Sequence, residues 1–494
     1  MKRAALLLNA ARHGRRFHAS RTLAMLTLTL SGCVGFSPDG GLAPAVNVAS
    51  ARLGKNIIKV DTAAEAESAQ ARVRYLLKRP LSVDRAVQIA LLSNRNLQAS
   101  FHDLGVSEAA FVKASLPPDP QFSFNQLAGM GDFEVVHQIV VNLYALATLP
   151  ARQAIASERF TAAQLRAAGQ VMALAAEVSR QYYIAVAAQE QIAFLDISVA
   201  AAQVSAELAR QLGKAGNLNK LEQAREDVFY AELGAQRGDA RIQAQAEREK
   251  LTRLMGLWGR DIAFTLPKTL PPLPRRIASV RMIETEALTK RLDILAARHD
   301  LDALARELGL TNVTRYVSDI SLTLQNDTEW AGNTGGSKLG TETTNKLARN
   351  GFVVDFSIPI YDFGESKVRN ARETYLAAAN RLAQRAIDVR SQAREAYTRY
   401  RGKYDLARYY AKRILPLRNT ILDQTSLQYN GMLADVTQLL LDARGRVGSN
   451  IAAITARRDF FIAEVNLKAV LMGNGPSHDV LGSSTTVSAT EAAN

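Results

Sequence analysis

The chain has 494 residues, with 61 Lys and Arg against 47 Asp and Glu, a formal net charge of +14, 47% apolar residues and one cysteine. That length holds several ordinary domains or one large elongated one. The basic excess is spread among acids such as Glu177, Glu222 and Glu226, with no Lys/Arg block interleaved with aromatics, which argues against a nucleic-acid partner.

Residues 1–32 open with Lys2, Arg3, Arg12, Arg15, Arg16 and Arg21 and continue into the apolar run Leu23 to Leu30. Leu30-Ser31-Gly32-Cys33 follows, and Cys33 is the single cysteine. A basic start, a short apolar core and small residues before a lone cysteine predict a lipoprotein signal peptide over 1–32, with Cys33 as the lipid-modified N-terminus of the mature chain. Cleavage lowers the formal charge to +8, because the leader holds six cations and no acid. Residues 33–80 are expected to be a lipid-anchored linker. With Cys33 acylated no disulfide forms, so stability must come from long packed helices or oligomerisation. Past residue 32 the nearest approach to a membrane-spanning helix is 171–194, which Glu177, Arg180, Gln181, Gln189 and Glu190 interrupt. On this reading the body can cross a membrane only as strands of a closed barrel.

The remainder reads as two similar halves. Ala90-Leu91 through His102-Asp103-Leu104 matches Ala287-Leu288 through His299-Asp300-Leu301 at an offset of 197, and Leu254-Met255-Gly256 matches Leu471-Met472-Gly473 at 217. The first repeat spans 81–260, a Pro-rich linker 261–279, the second repeat 280–473, and a Ser/Thr/Ala/Gly-rich tail, predicted to be disordered, 474–494. Each repeat predicts a helix of modest length (82–115, 281–312), two alternating segments, a very long helix (151–212, 366–428), a glycine turn and a returning helix (217–256, 433–473). Gly216 to Ala224-Arg225 pairs with Gly431 to Ala443-Arg444, which makes the second turn region four residues longer. The long helices span about 90–95 Å each at 1.5 Å per residue, which calls for a coiled-coil-like assembly. Pro416 is expected to kink the second of them.

The alternating segments carry the sharper signal. Phe352, Val354, Phe356, Ile358 and Ile360 alternate with a set that includes Asp355 and Ser357. Tyr316, Ile320, Leu322 and Leu324 alternate with a set that includes Asp319 and Gln325. In the first half Phe133, Val135, Ile139, Val141 and Leu143 share one face and Glu134, Gln138 and Asn142 the other, while Phe122 and Phe124 begin a shorter fourth strand. Period two with one apolar and one carboxylate-bearing face, at about ten residues, is the pattern of membrane barrel strands around a wet lumen. The lumen-facing candidates are Glu134, Gln138, Asp319 and Asp355. Four strands cannot close such a barrel, so several copies must contribute, and three would give twelve strands. The fold class is therefore mainly α with a transmembrane β-barrel, built from a two-fold helix-strand-strand-helix repeat.

The run Phe356-Ser357-Ile358-Pro359-Ile360-Tyr361-Asp362-Phe363-Gly364 resembles the proline, aromatic, aspartate, glycine exit from the barrel in the TolC-like outer membrane factor family. Tyr429-Asn430-Gly431 with Leu441-Asp442-Ala443-Arg444 resembles that family's periplasmic tip, and Leu251 to Gly256 the close of its first repeat. The resemblance covers about residues 81–473; the first-repeat exit, Leu149-Pro150-Ala151-Arg152, lacks the aspartate-glycine pair. It implies a homotrimer with a twelve-stranded barrel and an α-barrel of long helices, sited in the outer membrane, lipid-anchored and extending into the periplasm. It also implies an exit duct for efflux or secretion, with a periplasmic adaptor (membrane fusion protein), an inner-membrane transporter and outer membrane lipid as partners. Gly216, Asn217, Gly431 and Met432 are the implied adaptor contacts, and Asp435 and Asp442 the candidates for the periplasmic aperture. The alternative is a helical envelope lipoprotein scaffold without a channel, which needs no lipid-facing stripe.

No catalytic residue, cofactor or metal site is expected. The histidines show no metal-ligand spacing, and His102 and His299, at equivalent repeat positions, suggest a shared structural role. Gly213-Lys214-Ala215-Gly216 lacks the rest of a phosphate loop. The chain is expected not to be an enzyme.

Overall fold

The computed structural model describes residues 35–129, 132–277, 282–332 and 344–473. Cys33, the tail 474–494 and Met130-Gly131 of the first hairpin lie outside them. The elements in chain order are α1 (Ala43–Leu53), α2 (Ala63–Leu77), α3 (Val83–Ser93), α4 (Arg95–Ser115), β1 (Gln121–Gly129), β2 (Asp132–Asn142), α5 (Leu143–Ala147), α6 (Leu149–Lys214) and α7 (Lys220–Met255). The second half follows with α8 (Ile283–Lys290), α9 (Leu292–Val313), β3 (Asp319–Gly332), β4 (Thr344–Ser357), α10 (Glu365–Tyr409), a π turn (Tyr410–Ile414), α11 (Leu415–Asn430) and α12 (Val436–Met472).

The order repeats, with informative differences. Each opening helix is two helices, broken at Asn94 and at Arg291, 197 residues apart. Asn94 Oδ1 accepts from Leu97 N and caps α4, while its Nδ2 donates to Leu254 O at 2.8 Å. Ser93 Oγ donates to Met255 O at 2.7 Å. Gly256 ends α7 at φ +68°, where a Cβ would meet Ser93 O at 2.5 Å. The Leu-Met-Gly close of the first repeat thus exists to dock on the helix break. At Arg291 the same break is held by charge: the buried guanidinium binds Asp293 through Nε and Nη2 and Gln392 through Nη1.

Helix α6 is 66 residues long, and α10, the π turn and α11 together cover the equivalent 365–430. Pro416 sits in the first turn of α11 directly after the π turn. A proline cannot donate to the preceding turn, and the wider helical register upstream is how the backbone accommodates it. From α6 to the turn that follows it the offset between halves is 216, so most of the 19 residues gained since the helix break lie in the second hairpin, shared between its longer strands and the longer segment that joins them. The first hairpin covers 121–142 and the second 319–357.

The chain forms two compact units, one containing residues 105–161 and 299–379 and the other 41–104, 162–298 and 380 onward. The first contains a four-stranded antiparallel sheet in the order β1-β2-β3-β4. Strand lengths of 9, 11, 14 and 14 residues bracket the expected ten. Alternation was expected to start at Tyr316 and to run on to Ile360; pairing instead begins at Asp319 and stops at Ser357, because Pro359 offers no N–H and the chain turns there.

The second unit is helical. Phe460, fully buried, stacks on Tyr400 and lies against Tyr404 and Phe461, and Phe461 stacks on Tyr183 at 4.8 Å. The Pro-rich stretch is pinned to this core: Tyr404 donates its hydroxyl to Pro274 O and Leu270 N donates to Glu190. Residues 33–80, expected as a linker, contain α1 and α2, and Gln98 holds the chain ahead of α2 through Val60 N and Ile58 O. One 18-residue stretch of α6 is long and apolar enough to cross a membrane by composition, where the sequence reading found none. Its helix buries Val178, Tyr182, Ala185 and Val186 within the unit, and Arg180 and Gln181 bond to Asn466 and Glu247.

Candidate functional site: a two-faced sheet and two hairpin turns

Directly opposed residues in an antiparallel ladder project to the same side of the sheet. The register pairs Glu134 with Glu329, Gln138 with Gln325, Asp319 with Ser357 and Asp355 with Ser321. All four lumen-facing candidates therefore share one face. Thr323, Asp327 and Arg349 join them there, Arg349 bonds Glu329 at 3.2 Å, and Ser123 donates to Gln138 at 3.1 Å.

The opposite face presents Phe122, Phe124, Ile139, Leu324, Phe352, Val354 and Phe356, with Phe122 74% and Phe352 72% exposed. At one end Phe133 packs on Trp330 at 5.1 Å and Lys346 lies over the Trp330 ring. Two rows are not wholly apolar, which the sequence reading passed over: Phe124, His137, Asn326 and Asn350 are aligned by the register, and so are Gln126, Val135, Thr328 and Ala348. In the first of these Asn326 donates to Asn350 at 2.6 Å, and His137 packs edge-on against Phe124. Among the described residues β1 and β4 are paired on one side only, which leaves both edges of the sheet open.

The exits from the sheet are built differently. After β4, Asp362 accepts from Gly364 N and from Ser366 N and Oγ, and these bonds, the serine hydroxyl first, hold its carboxyl below the usual range. Gly364 has φ +72°, and a Cβ there would meet Arg315 O at 2.3 Å. Arg315 closes the turn by donating to Phe363 O and Glu365. After β2, Asn142 does the work of both residues: Oδ1 caps α5 through Ala145 N, and Nδ2 donates to Asp319 at 2.8 Å. A capped five-residue helix replaces the aspartate-glycine turn, which is why that pair is missing from the first exit.

The two hairpin turns are the same motif. Asn217 N bonds Leu212 O and Gly216 N bonds Gly213 O, with Gly216 left-handed at φ +77°. Leu433 N bonds Gln428 O and Met432 N bonds Tyr429 O, with Met432 at φ +60°. Both are Schellman closures, and the left-handed residue of the second is Met432, since Gly431 has φ −82°. Asn219 and Asp435 then cap the returning helices. The expectation of a longer second turn is corrected: from the left-handed residue to the cap both copies take three steps, and pairing Gly216 with Gly431 misaligns them by one. Met432 is 93% exposed, and Leu433 is also exposed.

No family model matches the chain. The cobalt-zinc-cadmium resistance protein CzcC of Cupriavidus metallidurans is 24% identical over 297 residues, 59% of this chain and 66% of that protein, so the match spans just under two thirds of the relative. Among solved structures the transmembrane-channel protein CusC superposes with a TM-score of 0.67 at 16% identity, over 79% of this chain and 92% of that one. The outer membrane protein VceC of Vibrio cholerae gives 0.64 at 13% identity, over 83% and 99%. The chain has the outer membrane factor fold.

Within that fold both aperture candidates already have local partners. Asp435 Oδ1 accepts from Gln438 N and starts α12, while Asp442 Oδ2 accepts from Thr425 Oγ1 at 2.7 Å and from Gln438 Nε2 at 3.1 Å. With the turns aligned at 216, Glu226 is the counterpart of Asp442. It is buried, accepts from Ser205 Oγ at 2.9 Å, and is pushed above the usual carboxylate range by desolvation. Sequence reading missed it because the misaligned turn paired Ala224-Arg225 with Ala443-Arg444.

Proposed function

We propose that this protein is the outer membrane exit duct of a tripartite efflux or secretion system, a passive conduit with no catalytic role. The observation that carries the proposal is the two-faced sheet. A largely apolar face left exposed by a chain this size calls for a lipid or protein partner, and a polar face behind it suits water. Open edges at β1 and β4 invite pairing with further copies, and three chains give a closed barrel of twelve strands whose lumen carries Glu134, Gln138, Asp319 and Asp355. The fold shared with outer membrane channels supports this reading, as does the resistance-protein relative.

On the same reading the chain resides in the outer membrane, acylated at Cys33, with its helices in the periplasm. The turns at Gly216-Asn217 and Gly431-Met432 meet a periplasmic adaptor, which links the duct to an inner-membrane transporter. The name of the curated relative makes Zn²⁺, Co²⁺ and Cd²⁺ the first cargoes to assay. Purified protein reconstituted in planar bilayers tests the proposal: discrete single-channel conductance steps from a trimer are expected. Stable trimers that insert but never conduct would favour the scaffold instead.

A further inference from the structure

His299 and Asp302 stand three residues apart on α9 and so lie on one face of it. Glu158 of α6 meets that face, with Oε2 2.8 Å from His299 Nδ1. One donor atom from each of the three residues lies within 4.8 Å of the others. We propose that Glu158, His299 and Asp302 form a binding site for a divalent transition-metal ion, independent of whether the protein conducts.

The donor set decides the class of ion. One imidazole with two carboxylates suits zinc, cobalt or manganese, whereas calcium and magnesium take oxygen ligands alone. Donors on a tetrahedral zinc at about 2.0–2.2 Å are separated by roughly 3.4 Å. The His299–Glu158 contact is already that close, and Asp302, exposed at the rim, needs only a side-chain rotation to approach. Three protein donors leave a position for water, as in open metal sites.

The surroundings hold the glutamate in place. Arg306 Nη2 donates to Glu158 Oε1 at 3.0 Å, and Arg159 pairs with Glu307 on the next turn. Glu158 can therefore bind a metal through Oε2 while Arg306 keeps Oε1, the kind of outer hydrogen bond that orients a metal-binding carboxylate. The metal then replaces one hydrogen bond, that between Glu158 and His299. The cost is the positive charge of Arg306 close by, so the affinity should be moderate.

No spacing rule reveals this site, because Glu158 lies 141 residues from His299. The equivalent histidine of the first repeat supplies a control. His102 faces Asp61 at 3.8 Å, and among the described residues no third donor joins that pair.

The test is calorimetric titration of the untagged, metal-stripped trimer with Zn²⁺, together with visible absorption of the Co²⁺-loaded protein. Wild type is expected to bind one ion per chain in that site. His299→Ala should lose saturable binding and the cobalt bands, Asp302→Asn should weaken binding at least tenfold, and His102→Ala should titrate as wild type. Asp302 is exposed, so its variant tests the site even if His299→Ala fails to assemble. An intact wild-type trimer that takes up no ion, or equal binding in wild type and both site variants, would overturn the proposal.

Discussion

Thr425 donates its hydroxyl to Asp442 at 2.7 Å across the hairpin of α11 and α12, and so ties the two helices together about two helical turns from the tip. The first hairpin has the same tie between Ser205 and Glu226 at 2.9 Å. The difference is burial. Glu226 is 4% exposed, and its carboxyl is shifted upward by desolvation, whereas Asp442 also holds Gln438. The two hairpins thus share a device, and in the first of them its carboxylate is desolvated.

Glu226→Gln should stabilise the first hairpin at neutral pH. A carboxyl whose folded pKa lies above its unfolded value costs nothing below about pH 4; the cost builds as pH rises from the unfolded to the folded pKa and is present in full above it. The glutamine keeps an acceptor for Ser205 and removes that cost. Hydrogen exchange in α7, corrected for the intrinsic rate, should be slower in the variant at pH 7.5 and equal to wild type at pH 4. Equal protection at both pH values would mean the carboxyl carries no strain.

Asp362 works with the opposite sign. Its carboxyl is depressed by the Ser366 hydroxyl and by the Gly364 and Ser366 amides, so its contribution is present above about pH 4 and lost as pH falls through the folded pKa. Asp362→Asn should therefore lower the urea midpoint at pH 7, and its difference from wild type should shrink as pH is taken below about 4. A difference that stays constant as the pH is lowered would assign the loss to shape instead of charge.

Gly256 and Gly364 should not tolerate a side chain, whereas Gly238 should benefit from one. The left-handed backbone alone costs alanine about 1–2 kcal/mol, and a Cβ would also run into Ser93 O at 2.5 Å or Arg315 O at 2.3 Å. Gly238 lies inside α7 with open space around it, so Gly238→Ala should gain up to about 1 kcal/mol in helix propensity. Chemical unfolding of the three variants orders them; Gly256→Ala unfolding like wild type would contradict the backbone account.

Much of this was legible in the chain because periodicity and repeats report local structure. The face carrying Glu134, Gln138, Asp319 and Asp355 followed from alternation, and the register places them together. Helix ends near Leu149, Lys214 and Asn430 followed from the run of helical pattern. Features set by hydrogen bonds between distant segments were not legible. The break at Asn94 depends on carbonyls of Leu254 and Met255, the left-handed Met432 on a closure that no glycine marks, and the partners of Glu158 on a helix 141 residues away.

The aperture assignment can be separated from the structural roles of its residues. Asparagine caps helices as well as aspartate does, so Asp435→Asn should preserve α12, whereas Asp435→Ala should cost about 0.5–2 kcal/mol. If the carboxylates ring a constriction in a trimer, the double Asp435→Asn, Asp442→Asn variant should lose block by divalent cations added from the periplasmic side. Unchanged block and conductance in the double variant would remove both residues from the aperture and leave the duct standing.

Leu324 and Gln325 are neighbours on β3 that point to opposite sides of the sheet, and they decide which side meets lipid. Leu324 shares its face with Ile139 and Phe352; Gln325 is paired with Gln138 and Gly351. An arginine on the lipid side of a barrel costs roughly 2–4 kcal/mol near the bilayer midplane, because its charge must be taken out of water. Leu324→Arg should therefore reduce the yield of folded trimer and lower its unfolding midpoint. Gln325→Arg should assemble normally and shift the reversal potential toward anion selectivity, since a lumen side chain keeps its hydration and adds three positive charges per trimer. Trimer yield on unheated gels and reversal potentials in a salt gradient measure both effects. Equal damage from the two substitutions would show that the faces are wrongly assigned, and a selectivity shift from Leu324→Arg would turn the sheet inside out.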